Sequence, residues 1–155
     1  MELHASGTQW AIATPHTLAT KAGAVAFERG GNAVDAALAA AVTLAVSYPH
    51  NCGVGGDLFA LVQRPDGATI AINASGRAPA SVDPDGLRAR YGTAMPEEGP
   101  DSITVPGAVS GWAALHEEGA KLPWAQAFGP AIAVRRQGET ARPTWWCPGC
   151  QSRSD

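Results

Sequence analysis

Gly30-Gly31-Asn32-Ala33-Val34-Asp35-Ala36-Ala37 is the stretch on which the fold turns. The two glycines supply the left-handed stop that helices favour, so they end one helix. Asn32 is a good N-cap for the next, and Asp35 lies in its first turn, where the helix dipole favours a carboxylate. Upstream, Leu18, Ala22, Val25 and Ala26 recur at i, i+4, i+7 and i+8, which predicts a helix over Thr17–Arg29. Downstream, the second helix runs to about Ser47 and stops before Pro49. Beyond Asp35 it is apolar nearly all round. Its apolar run, Ala36–Val46, is shorter than the ~18 residues of a membrane span, so it belongs in a protein interior. The expectation is a central helix lying on a sheet.

Past this helix the chain changes character. Pro49 to Asp57 is a turn-rich, glycine-rich loop. Leu58–Gln63 and Ala68–Asn73 read as strands joined by Pro65-Asp66-Gly67, which is good hairpin chemistry. Ala80–Asp101 reads mostly as loop, with one helical turn near Leu87–Tyr91. Ser102–Val105 reads as a short strand ending at Pro106-Gly107, followed by helices over Ala108–Glu118 and Pro123 to Arg136. From residue 135 to 155 the apolar periodicity stops, and Trp145, Trp146, Cys147 and Cys150 sit in a polar segment that reads as a disordered tail.

Composition narrows the function classes. With 155 residues, 45% hydrophobic and 16% charged, the chain is globular and of ordinary single-domain size. A net charge of −3 without a basic patch argues against nucleic acid, and no segment argues for a membrane. Three cysteines are too few for a disulfide-stapled secreted scaffold. Met1 to Gly7 has no basic region followed by an apolar run, so the expected location is cytoplasmic, or periplasmic or secreted if the true start is missing. No cofactor is called for. His4, His16, His50 and His116 lack metal-ligand spacing, so no metal site is expected.

The order of motifs resembles the opening of γ-glutamyltransferases. Ala13-Thr14-Pro15-His16 and Ala19-Thr20-Lys21-Ala22-Gly23 precede the stretch from Gly30 to Ala37, which is the most specific piece. Gly53-Val54-Gly55-Gly56 with the strand Phe59–Val62 follows, then Val105-Pro106-Gly107-Ala108-Val109-Ser110-Gly111 and Pro130-Ala131-Ile132. The resemblance covers about residues 10 to 134 and corresponds to the N-terminal part of the family's large subunit. It implies an α+β fold, a partial αββα sandwich of the N-terminal nucleophile type, incomplete in this chain. Residues 1–134 form the family-like domain and 135–155 the tail outside it.

The resemblance also implies a chemistry. Family members cut their own precursor, and the threonine that then leads the small subunit attacks an amide carbonyl with its own α-amine as base. No threonine of these 155 residues stands in that processing context, and no Gly-x-Ser-x-Gly elbow occurs. No catalytic residue is therefore assigned, and the chain is expected to be inactive alone. The implied activity is γ-glutamyl transfer or hydrolysis on glutathione-type substrates, once a small-subunit chain completes the enzyme. The alternatives are another carboxylate-bearing amide, or a non-catalytic binding protein.

Arg77 is the one substrate-binding candidate. The family's arginine shortly before an Ala-Pro pair grips a substrate carboxylate, for which its rigid donor fork suits it. Aligned on Ala78-Pro79, that position holds Ser75 here, and the arginine comes two residues later. Arg77 is thus either a carboxylate ligand or a solvated arginine at a strand end. Gly53-x-Gly55-Gly56 could suggest a phosphate cradle, but Leu58 stands where a dinucleotide fingerprint needs glycine, and the loop leads from helix to strand. A close backbone turn under a second layer is the expectation. Cys147-Pro148-Gly149-Cys150 has redox or half-zinc spacing without the surrounding context of either, and Cys52 reads as a small packed residue.

Overall fold

A computed structural model describes residues 7–138, which divide into two compact units. One comprises the chain up to Cys52 and from Ala120 onward; the other is Gly53–Gly119. The last helix returns to pack with the first two. The tail containing Trp145, Trp146, Cys147 and Cys150 lies outside the described residues.

The first unit is helical: α1 (Thr17–Glu28), α2 (Ala33–Ser47) and α5 (Trp124–Arg136). His16 caps α1, accepting the Leu18 N–H. At its other end Gly30 adopts φ 85° and donates to the Phe27 carbonyl, while the Gly31 N–H reaches the Ala26 carbonyl, both at 2.9 Å. That pair of bonds is the Schellman closure, which needs a left-handed residue at Gly30. Asn32 and Asp35 then cap α2 reciprocally. Asn32 Oδ1 accepts from Val34 and Asp35 N–H, and Asp35 Oδ2 accepts the Asn32 N–H at 2.8 Å.

α2 is buried on most of its surface, as its composition requires, but its partners are helices. Within its own unit, where the described residues include no strand, it packs against α1 and α5. Ala22 and Ala26 of α1 meet Ala36 and Ala39 of α2, flanked by Ile12, Phe27 and Leu122. Gly23 has no room for a Cβ, which would strike the Ile12 side chain and come within 3.0 Å of the Ala36 carbonyl. Small residues let the two backbones approach closely, so dispersion between them replaces large side chains as the cohesive force. The buried hydroxyls of Thr43 and Ser47 are satisfied along the helix, on the Ala39 and Thr43 carbonyls.

The second unit is a hairpin with two helices. β1 (Leu58–Gln63) and β2 (Thr69–Ala74) pair antiparallel from Leu58↔Ala74 to Gln63↔Thr69, one residue later in β2 than its sequence suggested. Gly67 at φ 87° and the Asp66 carboxylate, which accepts the Ala68 N–H, make the turn. α4 (Ala108–Glu117) packs on the inward face of the hairpin, and Arg64 at the turn pairs with Glu118 beyond the helix at 2.8 Å. α3 (Pro84–Tyr91) is longer than the single turn expected, because Asp83 caps it and Pro84 is preorganised for its first position. Ser102–Val105 is not a strand. Residues 100–102 form a 3-10 turn, and of the extended residues after it Val105 makes a bond to the Arg77 carbonyl before Pro106, which has no N–H to offer. Among the described residues no helix is long and apolar enough to cross a membrane.

Candidate functional site

Arg77 follows β2, where three segments remote in sequence are tied together within the second unit. The Arg77 carbonyl accepts the Val105 N–H at 2.9 Å. One residue earlier, the Gly76 N–H donates to Asp57 Oδ1 at 2.7 Å. The Gly56 carbonyl accepts the first amides of α4, from Gly107 at 3.0 Å and Ala108 at 2.8 Å. The glycine-rich loop, the end of β2 and the turn before α4 thus form one hydrogen-bonded knot.

Close packing explains the glycines at its centre. A Cβ on Gly76 would strike the Thr104 hydroxyl and the Val105 carbonyl, and one on Gly107 would strike the Ala74 carbonyl. Gly111, one turn into α4, faces Leu58 and Ala74 at 2.7 Å from where its Cβ would stand. Backbone carbonyls cannot move aside as flexible side chains can, so side chains at these places would push the segments apart. Gly53 and Gly55 behave differently, since nothing described lies within 4 Å of their Cβ positions.

Fixed backbone and free side chain meet at Arg77. Its side chain is exposed, and among the described residues it makes no ion pair or side-chain hydrogen bond. Ser75, at the position aligned with the family arginine, is also exposed, and its N–H donates to Asn73 Oδ1 at 3.0 Å. Asp57 was not singled out by sequence reasoning. Its only local signal is an acidic residue directly after a glycine pair and before a strand, and its partner lies 19 positions away.

Other features offer less chemistry. A groove of about 400 Å³ beside α2 is lined by Ile12, Phe27, Ala37, Ala41 and Leu44, and the Thr14 hydroxyl on it is engaged with Thr20 and His16. Near α3, Tyr91 donates to Asp101 at 2.7 Å and Arg90 pairs with the same carboxylate at 3.0 Å. The hydrogen bond to Asp101 raises the Tyr91 phenol above its ordinary value, helped by partial desolvation and the Asp101 charge and opposed by Arg90. His16 is a helix cap and His50 packs on Tyr48, while Cys52 is half-buried. No cluster of metal-ligating side chains occurs among the described residues.

The sequence model of the gamma-glutamyltranspeptidase family matches residues 19–145. The chain is 41% identical over 134 residues to the glutathione hydrolase-like YwrD proenzyme of Bacillus subtilis, covering 85% of this chain and 25% of that protein. It is 39% identical over 145 residues to the oxamate amidohydrolase proenzyme of Klebsiella pneumoniae, covering 88% of this chain and 27% of that one. Among solved structures, the γ-glutamyltranspeptidase of Helicobacter pylori superposes with a TM-score of 0.77 at 30% identity, over 84% of this chain and 39% of that chain. The chain spans about a quarter of the length of the first two relatives. It belongs to the γ-glutamyltranspeptidase family, of whose large subunit it carries the N-terminal part.

Proposed function

We propose that residues 1–155 supply part of the scaffold and the donor-carboxylate contact of an N-terminal nucleophile amidohydrolase or acyltransferase. The reaction moves an acyl group from an amide to water or to an amine. The nucleophile is the threonine of the family's small subunit, whose α-amine, with an ordinary pKa near ~8, serves as base. Arg77 carries this reading. Its backbone is held at Gly76 and at its own carbonyl, while its guanidinium makes no ion pair among the described residues. A planar five-donor fork on a fixed backbone suits bidentate contact with a carboxylate.

A γ-glutamyl compound of the glutathione type is the first donor to consider. A different carboxylate-bearing amide is favoured by Ser75 standing at the family arginine's aligned position, with Arg77 two residues on. The identity to an oxamate amidohydrolase supports the same class, since oxamate too joins a carboxylate to an amide. The outward face of the hairpin supports completion into an αββα sandwich by further family sequence. Phe59 is 68% and Leu61 78% exposed there, an apolar face of the kind that another layer covers.

The test is to join this chain to the remaining segment of the Bacillus subtilis relative, which gives a completed protein. Turnover of γ-glutamyl-p-nitroanilide or of oxamate is expected, and the preferred one names the donor. A folded, self-processed protein that hydrolyses neither would contradict the proposal.

A further inference from the structure

We propose that Asp57 is a positioning residue that sets where Arg77 stands, and through it which carboxylate-bearing donors are accepted; this rests on the functional reading above. Its Oδ1 takes the Gly76 N–H at 2.7 Å, a short charge-assisted bond to the peptide next to Arg77. Asp57 itself is anchored, because the carbonyl before it, on Gly56, receives the first two amides of α4. The carboxylate thereby ties the end of β2 to the start of β1, at a glycine with no room for a side chain against Thr104 and Val105.

The same carboxylate does not neutralise the arginine. Among the described residues Asp57 and Arg77 form no ion pair, although Asp57 accepts the backbone N–H of the residue before Arg77. The negative charge is spent on the backbone, and the guanidinium stays available to an incoming anion. The clamp stands beside an arginine that comes two residues later than the family pattern places it. Positional errors of about 1 Å in such contacts cost up to about a hundredfold in rate, so losing the clamp has a readable effect.

The experiment compares Asp57→Ala and Asp57→Asn in the completed protein. Asparagine keeps an Oδ1 acceptor for Gly76, and alanine does not. Donors are γ-glutamyl-p-nitroanilide and 4-aminobutyryl-p-nitroanilide, which keeps the amine but lacks the α-carboxylate. Asp57→Ala is expected to lower kcat/KM for the donor with the α-carboxylate about tenfold more than for the one without it, mainly through KM, and Asp57→Asn to recover most of that loss. Amide hydrogen exchange at Gly76 should quicken in Asp57→Ala and stay slow in Asp57→Asn. Equal losses on both donors, an asparagine variant as impaired as alanine, or unchanged exchange at Gly76 would each overturn the assignment. If the parent protein turns over neither these donors nor oxamate, the functional reading falls and takes this one with it; if it turns over oxamate alone, the KM for oxamate in the two variants decides in the same way. Turnover of both with no selective effect removes Asp57 alone.

Discussion

Asp35 Oδ1 accepts the backbone N–H of Leu122 at 3.0 Å, joining residues 87 positions apart in the sequence. The other oxygen takes the N–H groups of Asn32 at 2.8 Å and Lys121 at 3.0 Å. A carboxylate only 4% exposed is thus satisfied entirely by peptide donors, and one side chain caps α2 while fixing the approach to α5. Asp35 is structural.

Replacing Asp35 by alanine leaves those donors without a partner, at roughly 1–3 kcal/mol for each buried one. We expect Asp35→Ala to destabilise the completed protein by about 3 kcal/mol or more, read from the denaturant midpoint at unchanged slope. A loss below about 1 kcal/mol would mean that water replaces the carboxylate.

Gly111→Ala should destabilise the second unit by overpacking. The added methyl would lie 2.7 Å from Leu58 and Ala74, and such crowding costs about 1–3 kcal/mol. Gly129, which has open space around its Cβ position, should accept alanine without loss and serves as the control. Equal stability of the two variants would contradict the close packing of α4 on the hairpin.

Tyr91 should ionise above the ordinary value of 10.0, since ionisation removes the proton it donates to Asp101. A raised folded-state pKa gives a stabilising contribution that is complete below the unfolded value and lost as pH rises through the folded one. Ultraviolet titration should therefore show the Tyr91 midpoint moving down toward 10.0 in Asp101→Asn. An unmoved midpoint would assign the shift to another cause.

Residues that act on near neighbours were readable without a structure. Gly30, Asn32 and Asp35 announce a helix stop and a helix start because each bonds within a few positions. The same Asp35 has a second role toward Lys121 and Leu122 that no local rule reveals, and on that return of the chain depends the division into two units. Ser102–Val105 has a strand-like composition, but strands need partners, and Val105 finds a single carbonyl at Arg77. Arg77 was visible as a candidate from its motif, whereas Asp57 became one only when Gly76 was seen against it.

The isolated 155-residue chain should not hydrolyse amides, since no nucleophile, base and oxyanion hole are recognisable together in it. With Phe59 and Leu61 exposed on the hairpin, it should also associate or melt without a sharp transition. Sedimentation and thermal unfolding check this. A monomer that melts cooperatively would contradict the second expectation, and turnover above a buffer blank the first.

The most direct measurement of the central claim is the donor selectivity of Arg77→Lys in the completed protein. Lysine keeps the charge and loses the bidentate fork. Arg77 as the carboxylate contact requires kcat/KM for γ-glutamyl-p-nitroanilide to fall by about tenfold or more, with a much smaller change for the 4-aminobutyryl analogue, which lacks the α-carboxylate. Equal losses on the two donors would show that Arg77 supports the fold without touching the substrate.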